Sequence, residues 1–289
     1  DMTLEADVLQ GAIPNIAQAR DAKGLGTYYT GDRNEIAIEH GHRYDVFSAP
    51  DTVTNAELCG NEDTILPAGY FYARYAATWV LEGRPAVRKD LPVVADVPDK
   101  TDADQFGAYV YYSLLKDVSA RMTPNESLDE RIFDMHIAGF DDAYTYLDFY
   151  PAQQADGTIS APVLFRNIQR TWAERQTLNN VKVPNSFIEA VAGTLSSEYY
   201  VRQAKAQYLD NPDERVDVVV FGHTHVPTCR EMGDGKYYLN DGTWIDHNTD
   251  YPDATCTFAV ITTGDKDTAA LYRFTRDGSV IDIGAGVGK

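Results

Sequence analysis

The sequence predicts an α/β protein in which two parts of one sheet are separated by a long helical insertion. Val216-Asp217-Val218-Val219-Val220-Phe221 is a run of β-branched and aromatic residues that stops at Gly222. It is apolar on both faces, as a buried parallel strand must be. Glu35-Ile36-Ala37-Ile38-Glu39 is a second strand, and it stops at His40-Gly41-His42. Between the two, from Gly69 to about Asn211, apolar and aromatic residues recur at helical spacing.

Residues 13–23 read as a short helix, with Pro14 in its first turn and Gly24 after its end. Two strands then lead to His40, and Gly31-Asp32 between them reads as a hairpin turn. Residues 46–68 form a loop, because Pro50, Asn55, Gly60, Asn61 and Pro67 break any period. Helices are predicted over 69–81, 102–120, 128–148, 164–178, 185–194 and 196–209, with Pro124, Pro151 and Gly157 as separators. Strands return at 236–240, 257–263 and 268–274, with Gly264-Asp265 turning between the last two. Gly222 is expected to let the chain leave its strand tightly. Residues 284–289 are small and glycine-rich, a flexible tail. The predicted organisation is a core of 1–50 and 211–283 with a helical cap of 51–210.

The net charge of −19 over 289 residues argues against a nucleic-acid surface, which needs Lys and Arg against phosphate. It leaves phosphorylated small molecules open, since bound dications supply their own positive charge. Cys59, Cys229 and Cys256 lack paired metal spacing and read as reduced thiols. No apolar run approaches the roughly 20 residues a membrane helix needs, and a cytoplasmic location is expected. The cap holds most of the nineteen tyrosines, an aromatic content that points to packing. Its Arg74, Arg166, Arg170, Arg175 and Arg202 are candidates to grip a phosphate or carboxylate, or to sit in solvated surface pairs.

Chemistry concentrates at the strand ends. Five of the six histidines are at issue: His40, His42, His223 and His225 close the ends of two strands, and His247 comes shortly after Trp244. Imidazole is the commonest neutral nitrogen ligand for zinc, iron and manganese, and open α/β sheets place ligands beyond their carboxyl ends. Histidines that bond only backbone and water are the competing reading.

His40-Gly41, Gly222-His223-Thr224-His225 and Asn240-Asp241-Gly242-Thr243-Trp244 together resemble the C-terminal part of a calcineurin-like metallophosphoesterase, over roughly residues 13–50 and 213–275. The phrase around His40 is similar to bacterial members. The resemblance implies a β-sandwich flanked by helices and two divalent or transition metal ions, manganese, iron or zinc. It implies hydrolysis of a phosphomonoester or phosphodiester by metal-activated hydroxide, on a small phosphorylated substrate. In the family's pattern His40 and His223 bind one ion and His225 the other. His42 and Asn240 are candidates to brace the metal ligands or to contact the phosphate.

The chain departs from the family in its first motifs. Asp-x-His, Gly-Asp and Gly-Asn-His should precede His40, and the 39 residues before it hold none in place. Asp134-Met135-His136 and Gly60-Asn61-Glu62-Asp63 have similar letters but come after His40. The family's protonating histidine has no counterpart, so no catalytic residue is assigned. The expectation is a partial chain that lacks the N-terminal part of the sandwich. A missing N-terminal segment or a companion chain then completes the site. The alternative is a degenerate phosphoesterase fold that serves as a binding or scaffold module through its aromatic-rich cap.

Overall fold

A computed structural model describes residues 26–60, 64–86, 88–244 and 254–284. Two compact units emerge: residues up to 42 together with those from 195 onward, and residues 43–194. The helix expected over 13–23 lies outside the described residues.

The first unit is built on a five-stranded mixed sheet. β1 (Tyr28–Thr30) and β2 (Ile36–Ile38) form the hairpin read from Gly31-Asp32, pairing antiparallel from Tyr28↔Ile38 to Thr30↔Ile36. Gly31 sits at φ 91°, and a Cβ there would lie 2.5 Å from the Glu35 carboxyl, so a side chain is doubly excluded. The long run of the sequence appears as β7 (Val218–Phe221), buried along its whole length. It pairs in parallel with β2 on one side and with β9 (Lys236–Asn240) on the other. This is the arrangement that apolar residues on both faces require.

β8 (Thr228–Gly233) closes the sheet at the far edge, antiparallel to β9, giving the order β1-β2-β7-β9-β8. The sequence pattern does not predict it, because Arg230, Glu231 and Gly233 give it no apolar alternation. The available signal was Asp234-Gly235, both at positive φ (54° and 76°), which is a hairpin turn.

A second sheet, β10 (Thr257–Thr262), β11 (Thr268–Phe274) and β12 (Val280–Asp282), is antiparallel throughout. Leu271 of β11 is fully buried in a cluster with Ile36, Val218, Val220, Cys229 and Leu239 of the first sheet. Two sheets thus share one apolar layer, the economical way to cover a sheet face. α6 (Ser197–Ala204) runs into a π-helical turn, Lys205–Leu209, whose Asp210 N–H bonds the Lys205 carbonyl at 2.8 Å. A single helix was expected over 196–209.

The second unit is mainly helical. α1 (Ala56–Cys59) is one turn inside the expected loop. α2 (Ala68–Leu81), α3 (Ala103–Ser119), α4 (Ile168–Leu178) and α5 (Phe187–Gly193) follow the predicted helices closely. Asp102 caps α3 by accepting from Gln105 N–H, and Ser186 and Glu189 form a capping box on α5. The helix expected over 128–148 is not formed. β3 (Phe133–Asp134) and β4 (Ala143–Tyr144) pair there as a small ribbon, followed by a 3₁₀ turn at Tyr146–Asp148.

The physical reason is the turn at Ala138 and Gly139, both at positive φ (53° and 80°). A Cβ at Gly139 would stand 2.6 Å from the Cys59 carbonyl oxygen. The spacing of Phe133, Phe140, Tyr144 and Phe149 fits a helix face, but a ribbon buries all four in the same core. β5 (Ala152–Gln153) and β6 (Ile159–Ser160) make a second short ribbon. Aromatic rings fill this core as the sequence implied: Tyr75 stacks on Tyr146 at 4.5 Å, and Phe71 meets six other rings edge-on or tilted.

Among the described residues no helix is long and apolar enough to cross a membrane. Cys59, Cys229 and Cys256 are free thiols.

Val219 is fully buried between two parallel neighbours. Val219→Ala is expected to lower unfolding stability by about 2–3 kcal/mol through lost burial and the cavity left behind. A urea melt checks this, and a loss below about 0.5 kcal/mol would mean the sheet collapses onto the gap.

Candidate histidine site

The parallel register of β2, β7 and β9 brings their carboxyl ends to one edge. Backbone bonds continue past the strands: Glu39 N–H donates to the Val220 carbonyl (3.0 Å), Gly222 N–H to the His40 carbonyl (3.2 Å) and Asp241 N–H to the Phe221 carbonyl (3.1 Å). The His40, His223 and Asn240 segments therefore meet by register alone. Asn240, buried, ties them further. Its amide Nδ2 donates to the Gly222 carbonyl and its Oδ1 accepts from Gly242 N–H at 3.0 Å. That makes it a backbone staple for the loop carrying His223 and His225, and no contact to the rings themselves is needed for the role.

Glu39, buried just before His40, accepts from the Tyr208 hydroxyl (2.6 Å) and from Thr27 Oγ1 (3.3 Å). The π-helical turn thus anchors the strand that delivers His40.

The tight exit from β7 is made differently from the expectation. Gly222 is not in the left-handed region, and a Cβ there would make only ordinary contacts, the nearest at 3.7 Å. His223 (φ 65°) and His225 (φ 58°) take the left-handed conformation instead. Thr224 N–H bonds the Gly222 carbonyl at 2.8 Å, closing a γ-turn of the rarer hand around His223. Val226 N–H bonds Thr224 Oγ1 at 3.2 Å across His225. Non-glycine residues at such φ store of order 1 kcal/mol or more each, and such strain clusters at functional sites.

Three imidazoles come together around His40. Its Nδ1 is 3.2 Å from His42 Nδ1, and the ring centroids are 5.0 Å apart. His223 lies 5.1 Å away, centroid to centroid. Tyr200 of α6, fully buried, sets its ring edge-on to His223 at 5.6 Å. His40 keeps part of its ring in solvent. Desolvation by the surrounding loops, and then the like charges of His223 and His225, nevertheless push it down to about 4. It is therefore held neutral at physiological pH.

Two imidazole nitrogens on one tetrahedral zinc-like ion at about 2.0–2.1 Å stand roughly 3.3–3.4 Å apart. The His40–His42 spacing therefore suits either a hydrogen bond or a shared cation. The donor chemistry fits a metal, but the number of donors does not. Among the described residues no group of three or more His, Cys, Asp or Glu side chains is arranged to hold an ion.

Two residues join the site without having been singled out. Asp241 follows Asn240, the last residue of β9, and desolvation raises its carboxyl above its ordinary value. Its Oδ1 and the His40 ring flank the same Gly222 backbone, at 3.7 and 3.8 Å from where a Cβ would stand. Its place after a strand-ending Asn was the legible signal. Tyr200 had none, because its contact with His223 is made only by the fold.

The other sequence candidates lie apart from this cluster. Asp134 and His136 belong to the small ribbon of the second unit, are well exposed, and approach each other at 3.6 Å. Gly31-Asp32 is the hairpin turn. Asn61, Glu62, Asp63 and His247 lie outside the described residues.

Arg175 is wholly buried. Its guanidinium donates to the Val46 (3.0 Å) and Ala49 (2.6 Å) carbonyls, faces Asp51 at 3.3 Å and stacks on Trp172. It holds the second unit together and is not presented to a ligand. Arg170 pairs with Asp104 at 2.7 Å and Arg74 donates to Tyr70 at 3.2 Å. Arg202 is exposed, and Arg166 lines a cavity of the second unit.

The fold and the site together define an α/β protein with imidazoles clustered at the carboxyl edge of a mixed sheet. Against known proteins, no family model, no curated protein and no solved structure matches the chain.

Two substitutions test these assignments. His225→Gly relieves a left-handed non-glycine residue that is largely exposed. It is expected to raise stability by about 0.5–1 kcal/mol, seen as an increased urea midpoint. Arg175→Leu strands the Asp51 carboxylate in the core and is expected to cost about 3–5 kcal/mol. An unchanged thermal midpoint in Arg175→Leu would show that the ion pair is dispensable.

Proposed function

We propose that this chain carries the imidazole half of a metal-dependent phosphoesterase site. The observation behind the reading is the convergence of His40, His42 and His223 at the carboxyl ends of adjacent parallel strands, with His40 held neutral. The motifs that resemble calcineurin-like metallophosphoesterases supply the reaction class, hydrolysis of a phosphomonoester or phosphodiester.

On this reading His40, His223 and His225 would hold metal, with His42 against the His40 ring to support it. Metal ions bound there would lower the pKa of a water and neutralise phosphoryl oxygens. The chain's own contribution is orientation. Asn240 fixes the loop through Gly222, Tyr200 limits the His223 ring, and the Tyr208–Glu39 bond fixes the strand before His40. The described donors fall short of a full metal shell. The proposal therefore includes further ligands, a carboxylate above all, from another segment or a companion chain, and no hydrolytic step is derived from these residues alone. The substrate class proposed is a small phosphorylated molecule, consistent with the net charge of −19 only where metal offsets it.

Mn²⁺, Fe²⁺ and Zn²⁺ titrated into purified protein, followed by calorimetry and by metal analysis after gel filtration, test the reading. Saturable binding is expected, weakened about tenfold or more by His40→Ala or His223→Ala. Absence of binding for all three metals would move the assignment to a binding module without metal.

A further inference from the structure

The sheets of the first unit end in β1 and β8 on one side and in β10 and β12 on the other. Unpaired backbone at a sheet edge is a template for another strand, and proteins blunt it with short strands, charges or bulges. β1 and β12 are only three residues each, and β12 carries Asp282. β8 carries Arg230 and Glu231, and its ladder to β9 slips between Glu231 and Gly233. β10 has none of these devices. It is six residues long, Thr257-Phe258-Ala259-Val260-Ile261-Thr262, with no charge, proline, glycine or bulge.

The ladder to β11 settles which backbone groups are open. Phe274 N–H donates to the Cys256 carbonyl at 2.9 Å, so the bonded pairs continue at Phe258, Val260 and Thr262. The N–H and C=O groups of Thr257, Ala259 and Ile261 therefore point away from β11. Trp244 Nε1 takes the Thr257 carbonyl at 2.8 Å. Among the described residues no bond occupies the groups of Ala259 and Ile261. Leu271 is buried in the layer between the two sheets, so by alternation Phe258, Val260, Tyr272, Phe274 and Val280 take the outer face. Val260, Phe274 and Val280 are 44%, 44% and 56% exposed there.

We infer that β10 pairs antiparallel with β10 of a second copy of this chain, about a two-fold axis at Val260. In this register Ala259 stands opposite the partner's Ile261, and the N–H of each bonds the C=O of the other. Every open group is used, and the symmetry repeats each bond. Val260 meets its own counterpart. Phe258 lies across from the partner's Thr262, an aromatic and β-branched pair of the favourable kind. A partner recognised by charge has nothing to hold on this strand, whereas an identical strand satisfies all of it. A strand about 20 Å long buries well under the roughly 1,200 Å² of a lasting interface, which makes the dimer transient, with a Kd of order 100 µM. Each copy carries −19, so salt that screens the repulsion tightens the pairing. A basic partner at the same edge would show the opposite dependence.

Sedimentation equilibrium of the full chain from about 10 µM to 1 mM, in about 50 and 500 mM NaCl, is the test. A monomer–dimer equilibrium is expected, tighter at the higher salt. Val260→Lys sets like charges opposite each other across the axis and is expected to weaken the dimer about tenfold or more. The side chain is exposed, so the circular dichroism of the native chain should be retained. An equimolar mixture of Val260→Lys and Val260→Glu is expected to associate again, because only at a two-fold position does each charge meet the other. A monomer at every concentration would overturn the pairing. So would a dimer that loosens with salt, a folded Val260→Lys protein that dimerises as the native chain does, or a mixture no better associated than either variant alone.

Discussion

The parallel register of three strands is the constraint on which the first unit depends. β7 is buried on both faces, so it can only be a central strand, and its neighbours β2 and β9 run the same way. Once Ile38 is opposite Val220 and Phe221 opposite Asn240, the residues that follow have no freedom to separate. His40, His223 and Asn240 are brought together across almost two hundred residues of chain by backbone hydrogen bonds, and side chains then refine the arrangement.

That refinement uses strain and burial in the same small volume. Two histidines sit at positive φ, a buried asparagine holds the glycine before them, and a desolvated imidazole is kept neutral beside others. The positive-φ histidines cost stability, and the satisfied Asn240 bonds offset part of that cost. Strained backbone of this kind collects at active and ligand sites more than in structural loops.

The second unit stands on different physics. Its core is aromatic, with rings meeting edge-on and stacked, and within it Arg175 and Asp51 form a fully buried pair cradled by the Val46 and Ala49 carbonyls. Replacing both by apolar residues can be neutral, whereas removing one leaves a bare charge. The pair therefore fixes how α4 meets the loop after residue 45 more than it raises stability. The same helix begins at Ile168, just after Arg166 and Asn167, so its placement also positions those two residues.

The sequence by itself determined the buried strand before Gly222, the hairpin before His40, most of the helices and the clustering of histidines at strand ends. Period and composition act locally and survive into any fold that satisfies them. Tertiary structure decided the rest. Residues 133–149 have a helix-like apolar spacing, but Gly139 pressed on the Cys59 carbonyl turns them into a ribbon that buries the same rings. β8 has no apolar pattern and exists because β9 offers an open edge. Arg175 looked like an anion grip and proved to be a core residue, since burial is a property of neighbours and not of side-chain type. Tyr200 and Asp241 joined the histidines for the same reason. A site is defined by distances between segments far apart in the chain, and only the register of the sheet supplies them.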